Sequence, residues 1–226
     1  MMATRDAPLG VIFDLDGVLI DSAELHFQSW RRLAEEQGAG LTRAQFHATF
    51  GRQNRDIIPD LFGVSAPDRV GALADRKEEI YRNLVRGRPP VVDGAVELIR
   101  GLAALDARLA IGSSAPRQNI DLILNEVGVH AAFEAIISGD DVARGKPDPQ
   151  VFALACEALG LAPARCVVIE DAPAGVQAAI TAGAVAVAVL IHHDEAAFDG
   201  VALCVHKLAE LTPQRILNVH LSEPRG

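Results

Sequence analysis

Two aspartates, one residue apart, close a short apolar run near the start of the chain. The stretch reads V-I-F-D-L-D-G, in which Leu15 separates Asp14 from Asp16 and Gly17 follows. On an extended chain, residues i and i+2 face the same way, so the two carboxylates would lie side by side at a strand end. Like charges this close raise each other's pKa unless a cation compensates them. The pair indicates either a cation-binding reactive site or, more plainly, a solvated D-G turn.

Polar side chains also follow three later apolar runs. Ser113 and Ser114 follow one, Lys146 lies in a K-P-D-P segment after the next, and Glu170 with Asp171 closes another. Each residue alone has an ordinary explanation as a helix cap or a surface residue. Together they supply oxygen ligands suited to magnesium, a positive point charge, and hydroxyl and backbone N–H donors at a helix start.

These residue types are the ones that phosphoryl transfer requires. A phosphate monoester near neutral pH carries close to two negative charges, so a carboxylate can attack it only when that charge is screened. Asp14, Glu170 and Asp171 would screen it by holding magnesium, and Lys146 with Ser113 would bind further phosphate oxygens. One aspartate of the D-x-D pair would then act as the nucleophile and its neighbour as the proton donor.

The elements that must position these residues alternate along the chain as in an α/β fold. We predict strands at residues 11–13, 108–113, 134–138, 166–170, 185–190 and 202–205. Helices are predicted between the later strands at about residues 94–105, 116–127, 148–159 and 174–182. This alternation predicts right-handed βαβ units and a parallel sheet buried on both faces. In such sheets ligands bind beyond the carboxyl ends of the strands, where the polar residues stand.

The segment between the first two strands has a different texture. It is charged and free of strand patterns, with helices predicted at residues 23–37 and 68–85. Between them, Thr42 and Gln45 form a T-x-x-Q capping box that opens another helix. We therefore predict two parts, an α/β core formed by residues 1–19 and 93–226 and a helical insert at residues 20–92.

Composition and charge exclude several classes of partner. The chain has 226 residues, 50% of them hydrophobic, and a formal net charge of −9, so a polyanion such as nucleic acid is disfavoured. The longest apolar run, residues 182–191, is too short to span a bilayer, and the first residues lack an apolar leader. We expect a cytoplasmic protein without a membrane partner, present as a monomer or weak dimer. Its partner would be a small phosphorylated substrate.

Four motifs, taken in order, resemble those of the haloacid-dehalogenase-like phosphotransferases. They are D-L-D-G, S-S, K-P-D-P and V-V-I-E-D-A-P-A-G-V-Q-A-A, and they span nearly the whole chain. The resemblance implies a Rossmann-like parallel sheet with a small helical cap domain inserted after the first strand. It also implies that Asp14 becomes phosphorylated and that Asp16 is the general acid and base.

The same resemblance implies the ligand sets. Magnesium would be the cofactor, held by Asp14, the Asp16 backbone carbonyl, Glu170 and Asp171. The phosphate would be bound by Ser113, Ser114 and Lys146. The family's dehalogenases lack the second aspartate, so Asp16 argues against dehalogenation.

Within the family, the stretches H-F-Q-S-W-R-R-L-A-E-E-Q-G and R-K-E-E-I-Y resemble the β-phosphoglucomutase-like branch of phosphatases and phosphomutases. By this resemblance, His26 and Lys77 line the cap side of the site and bind substrate. In G-R-Q-N-R, Asn54 stands where the mutase pattern has a phosphate-binding arginine, and Arg55 follows it. The candidates to substitute for that arginine are Arg52, Arg55 and Arg117.

Three functions remain open on the sequence. The first is magnesium-dependent hydrolysis of a small phosphorylated metabolite through an aspartyl-phosphate intermediate. A sugar phosphate is the favoured substrate. The second is a β-phosphoglucomutase that interconverts β-glucose 1-phosphate and glucose 6-phosphate and shares the first half-reaction. The third is a catalytically silent regulator that binds phosphometabolites. The intact Asp14 and Asp16 pair argues against the regulator, because binding alone needs no acid and base.

Overall fold

A six-stranded parallel sheet carries the predicted motifs. The computed structural model describes residues 8–49, 52–191 and 193–222, the last three by backbone only. The strands are β1 (Gly10–Phe13), β2 (Arg108–Gly112), β3 (Ala135–Ile137), β4 (Cys166–Glu170), β5 (Val185–Val189) and β6 (Leu203–Val205). Their order is β3-β2-β1-β4-β5-β6, and every neighbouring pair is parallel. The predicted α/β fold is confirmed.

The register brings the carboxyl ends of the three central strands together. Phe13, the last residue of β1, pairs with Ile111 of β2 on one side and with Ile169 of β4 on the other. All residues of β1 and β4 are buried, as continuous apolar runs in a covered parallel sheet should be. The residues that follow these strands therefore meet at one edge of the sheet.

Contacts divide the chain into two units, Met1–Asp21 with Val91–Gly226 and Ser22–Pro90. The second unit contains the helices α1 (Ala23–Glu36), α2 (Arg43–His47), α3 (Asn54–Phe62) and α4 (Pro67–Val85). Its own apolar core includes Phe27, Trp30 and Ile58. The predicted capping box is present, because Thr42 Oγ1 accepts the Gln45 N–H while Gln45 Oε1 accepts the Thr42 N–H.

The helices of the sheet-bearing unit are α5 (Ala95–Ala103), α6 (Arg117–Val127), α7 (Gln150–Ala158), α8 (Pro173–Thr181) and α9 (Pro213–Ser222). Helices α7 and α8 pack on one face of the sheet, where Phe152 and Val176 join Ile12 and Val168 in one apolar cluster. Helices α5 and α9 contact β2 and β4. Among the described helices, none combines the length and the apolar character that a membrane crossing requires.

Candidate active site

The chain turns sharply just beyond β1. The Asp14 N–H donates to Ile169 O at 3.0 Å, so pairing with β4 continues one residue past β1. The Gly17 N–H then donates to Ile20 O at 2.7 Å, and Gly17 has a φ of +84°, a conformation that strongly favours glycine. Asp14 is buried and Asp16 is partly exposed at this turn.

Gly17 also brings the turn into contact with the end of β4. A Cβ at this position would lie 2.0 Å from Oδ2 of Asp171, far inside van der Waals contact. The Asp171 carboxylate therefore lies directly against the backbone of the β1 turn, beside the aspartate pair.

Lys146 connects three strand ends. Its buried ammonium donates to Asp14 Oδ1 at 2.6 Å, to Glu170 Oε1 at 2.7 Å and to the Gly112 carbonyl at 3.2 Å. These acceptors lie at the ends of β1, β4 and β2. The ammonium also lies 4.7 Å from the centre of the Phe152 ring. Burial opposes the charge of Lys146, but Asp14 and Glu170 hold its pKa above the ordinary value.

At this edge of the sheet, the negative charge of the carboxylates exceeds the positive charge of Lys146. Asp14, Glu170 and Asp171 each place a carboxylate oxygen so that these atoms lie within 4.8 Å of one another. Burial raises the pKa of Asp14 to about 7, helped by the charges of Glu170 and Asp16 and opposed by Lys146. Burial likewise raises the pKa of Asp171 to about 9, with the charges of Glu170 and Asp14 adding to the rise.

This donor set fits a hard divalent cation. Magnesium prefers oxygen ligands, takes one or two carboxylates and keeps several waters. The cluster offers closely spaced carboxylate oxygens, and burial raises the pKa values of Asp14 and Asp171 even though Lys146 opposes the rise. A cation between Asp14 and Asp171 would supply the missing compensation.

Glu170 is the most constrained carboxylate of the cluster. Its Oε2 accepts the backbone N–H groups of Asp171 and Ala172, both at 2.8 Å, while its Oε1 accepts Lys146. A Cβ on Gly175, in the first turn of α8, would lie only 1.7 Å from Oε1. Sequence reasoning identified Glu170 but missed Gly175, whose signal is the glycine five residues later in E-D-A-P-A-G.

The two serines after β2 differ in their surroundings. Ser113 is buried, and its Oγ accepts the Ala115 N–H at 3.1 Å while its own O–H can still donate. Ser114 is exposed. After β3, in a short 3-10 helix (Gly139–Asp141), Asp140 Oδ2 accepts the Arg117 N–H at the start of α6 at 2.8 Å, a structural contact that the sequence pattern did not indicate.

The other predicted substrate-binding residues lie in the helical unit. Lys77 is buried, with Nζ 2.9 Å from Nδ1 of His26 and 2.8 Å from Oε1 of Glu78. Asn54 Nδ2 donates to the same Glu78 oxygen at 2.7 Å. The structure thus brings His26 and Lys77 together, but it pairs the lysine with Glu78, which sequence reasoning missed. Arg55 is exposed on α3, and no described hydrogen bond joins it to this cluster.

Comparison with known proteins places these features in a wider group. Residues 9–183 match the haloacid dehalogenase-like hydrolase family. The chain is 31% identical to a phosphorylated carbohydrates phosphatase of Thermotoga maritima over 92% of this chain and 96% of that protein. It is 33% identical to a beta-phosphoglucomutase of Bacillus subtilis over 79% of this chain and 82% of that protein.

A solved structure gives the same picture. A HAD hydrolase of family IA, variant 3, from Entamoeba histolytica superposes with a TM-score of 0.86 at 25% identity. The superposition covers 95% of this chain and all of that one.

Proposed function

The chain belongs to the haloacid dehalogenase-like hydrolase family and is an enzyme of its phosphatase and phosphomutase group, and from that premise we propose that it is a magnesium-dependent phosphohydrolase. The proposed substrate is a small phosphorylated metabolite, and sugar phosphates are the favoured class. The observation that carries the proposal is the buried Lys146 ammonium bonded to Asp14 within a cluster of carboxylates. The phosphatase of Thermotoga maritima supports the substrate class, since its name specifies phosphorylated carbohydrates.

Magnesium would be held at the end of β1 and β4. Asp14, the Asp16 backbone carbonyl and Asp171 are the proposed ligands, with Glu170 in the same cluster. The bound ion would withdraw charge from the phosphate oxygens and so permit a carboxylate to approach.

Asp14 is the proposed nucleophile. One of its carboxylate oxygens attacks phosphorus, the ester P–O bond breaks, and the phosphoryl group is then carried as an aspartyl-phosphate. Lys146 already lies 2.6 Å from Asp14 Oδ1, so its charge is at the position where phosphate oxygens must be accommodated. The Ser113 hydroxyl, at the end of the adjacent strand, would donate to one of these oxygens, with Ser114 beside it.

Asp16 is the proposed general acid and base. Its protonated carboxyl gives a proton to the leaving alkoxide, and the resulting carboxylate then takes a proton from the water that attacks the aspartyl-phosphate. Inorganic phosphate leaves and Asp14 is restored. Because Asp16 is partly exposed at the turn, water can reach it.

The helical unit is proposed to select the substrate and, in this protein, to favour transfer to water. A mutase must hold a second phosphate, which calls for a fixed cation that is not already neutralised. Here the Lys77 ammonium is bonded to Glu78, and Asn54 bonds the same carboxylate. Lys77 is therefore engaged and does not offer that cation, which supports hydrolysis over the mutase. We assign His26, Lys77 and Arg55 to recognition of a single phosphorylated substrate.

Product analysis tests this proposal. A panel of sugar phosphates and other phosphate esters is incubated with magnesium, and β-glucose 1-phosphate is included with and without a trace of glucose bisphosphate. We expect inorganic phosphate from at least one sugar phosphate, and more inorganic phosphate than glucose 6-phosphate from β-glucose 1-phosphate. Accumulation of glucose 6-phosphate, accelerated by the bisphosphate, would replace the hydrolase with the mutase.

A further inference from the structure

Glu170 has little capacity left for an additional ligand. An ionised carboxylate offers about four lone-pair sites. Three hydrogen bonds already end on Glu170, two from backbone N–H groups to Oε2 and one from Lys146 to Oε1. The side chain is 2% exposed, so its geometry is set by protein groups and not by water.

The start of α8 leaves room for the Glu170 carboxylate only because residue 175 is glycine. A Cβ on Gly175 would lie 1.7 Å from Oε1, 2.0 Å from Cδ and 2.7 Å from Oε2. If the Glu170 carboxylate moved out of this position, it would lose the hydrogen bonds from the backbone N–H groups of Asp171 and Ala172. The Glu170 carboxylate therefore occupies the space that a side chain at residue 175 would need, and only glycine leaves it in place against Lys146.

Asp171, unlike Glu170, has carboxylate oxygens that remain open to a ligand. Its carboxylate lies against the Gly17 turn, next to Asp14, and among the described residues no hydrogen-bond donor is assigned to it. Its oxygens are therefore available to a cation, whereas those of Glu170 are mostly engaged.

We propose that these two neighbouring acids divide their work, with Glu170 as the positioning residue of Lys146 and Asp171 as the acid that sets metal affinity. The proposal rests on the proposed phosphoryl-transfer function of the Asp14 site. Lysine has a flexible four-carbon stem, and without Glu170 its ammonium would keep one short hydrogen bond, to Asp14 at 2.6 Å, and a longer one to the Gly112 carbonyl at 3.2 Å. The second short hydrogen bond, to Glu170 at 2.7 Å, ends on a carboxylate that two backbone N–H groups hold in place, and it fixes the charge that meets the phosphate.

Glu170→Gln is the first test. Glutamine keeps an oxygen that can accept the two backbone N–H groups, but it presents an NH₂ group to the Lys146 ammonium. Inorganic phosphate is titrated calorimetrically into each protein in saturating magnesium, and magnesium is titrated alone. We expect Glu170→Gln to weaken phosphate binding roughly 10- to 100-fold, the usual value of a hydrogen bond to a charged group, and to change magnesium affinity less than about threefold.

Asp171→Asn should show the reverse pattern, with magnesium affinity as the main loss. If Glu170→Gln weakens magnesium binding as much as Asp171→Asn does, Glu170 acts mainly as a metal ligand. That result would overturn the proposed division of roles between the two acids.

Gly175→Ala tests the same contact without changing any charge. The added methyl must displace the Glu170 carboxylate, so phosphate affinity should fall while magnesium affinity is kept. Gly71→Ala is the matched control, because Gly71 is also helical and a Cβ there meets nothing within 4 Å. Unchanged phosphate affinity in folded Gly175→Ala would contradict the proposal.

A double-mutant cycle separates positioning from a general structural role. In a Lys146→Met background, Glu170→Gln should cause no further loss of phosphate affinity, because its effect passes through Lys146. Additive losses would overturn the proposal. If wild-type protein with magnesium releases no inorganic phosphate from any ester of the panel, the proposed function itself fails, and that result is obtained before any variant is compared.

Discussion

At the edge of the sheet, the single ammonium of Lys146 lies near four carboxylates, those of Asp14, Asp16, Glu170 and Asp171. The negative charge of these side chains therefore exceeds the positive charge. Lys146 compensates Asp14 and Glu170 directly, at 2.6 and 2.7 Å. Burial nevertheless raises the pKa values of Asp14 and Asp171 to about 7 and about 9. Buried like charges are tolerated where a cation completes the site, and this imbalance is consistent with the metal-assisted reaction that we propose.

Asp16→Asn should separate proton transfer from attack. We expect the variant to lose roughly 10²- to 10⁴-fold in turnover of an alkyl phosphate, the usual contribution of general acid–base catalysis. The loss should be smaller for p-nitrophenyl phosphate, whose leaving group needs little protonation, when formation of the aspartyl-phosphate is measured as the burst of p-nitrophenolate. Equal losses for both esters in that step would assign Asp16 to structure or metal binding alone.

Magnesium should stabilise the protein more as pH rises. The folded-state pKa values of Asp14 and Asp171 lie above the ordinary value of 3.8, so the stability that these groups contribute is present below that value. In metal-free protein it is lost as pH rises through about 7 and then about 9. Magnesium binds the ionised carboxylates, so its effect on Tm should grow over the same interval.

Thermal unfolding with magnesium and with chelator, from about pH 6 to about pH 9, checks this expectation. Asp171→Asn serves as the control and should show a much smaller increase with pH. A magnesium effect that is absent or independent of pH would count against a metal at these carboxylates.

At the scale of elements, glycines decide how closely the strand ends approach. Gly17→Ala should weaken magnesium binding, because its Cβ would occupy the place of Asp171 Oδ2 at 2.0 Å. Gly38→Ala is a matched control, since Gly38 also has a positive φ of +71° while a Cβ there meets nothing within 4 Å. Calorimetric titration with magnesium compares the two. Equal magnesium affinities in folded proteins would show that the approach of the turn to Asp171 is unimportant.

The helices and strands also show where the sequence pattern alone is sufficient to predict an element. Strand β4 was predicted with its observed bounds, because a continuous apolar run is what a strand covered on both faces requires. Helix α3 was not predicted as a separate helix, since Pro59 lies inside it and proline normally ends a helix. Helix α9 was also missed, although Thr212 and Pro213 supply a start signal and Thr212 Oγ1 accepts the Arg215 N–H at 3.2 Å.

The site was predictable where topology dictates it and not where side-chain pairing does. Asp14, Lys146 and Glu170 meet because parallel strands end at one edge, which the alternating pattern indicates. The engagement of Glu170 by Lys146, and of Lys77 by Glu78, depends on rotamers and packing that no spacing reveals. The functional roles of all the predicted site residues stay predictions until variants are assayed.

At the scale of the whole molecule, chemistry and selectivity are proposed to reside in different units. The sheet-bearing unit, Met1–Asp21 with Val91–Gly226, contains every proposed catalytic and metal-binding residue. The helical unit, Ser22–Pro90, contains His26, Lys77 and Arg55, which we propose for substrate recognition. Under this division, changes in the helical unit should alter which ester is used and leave the capacity for attack intact.

Arg55→Ala tests that division. Arg55 is exposed on α3, so its loss should not disturb the fold, and surface substitutions usually change stability by less than about 0.5 kcal/mol. We expect the order of kcat/KM among sugar phosphates to change while p-nitrophenyl phosphate is hydrolysed at the wild-type rate. Arg86→Ala, at the end of α4, is the control on another exposed arginine. Equal reduction of all esters by Arg55→Ala would place its role in the chemistry and contradict the division.

Chemical trapping of the phosphorylated residue tests the nucleophile most directly. Asp16→Asn protein is mixed with p-nitrophenyl phosphate and magnesium, reduced with borohydride, and digested for mass spectrometry. Because borohydride converts an aspartyl-phosphate into homoserine, we predict homoserine at position 14, and none when magnesium is chelated or when Asp14→Asn is also present. Trapping at another residue, or continued turnover by Asp14→Asn alone, would contradict the assignment of Asp14 as the nucleophile.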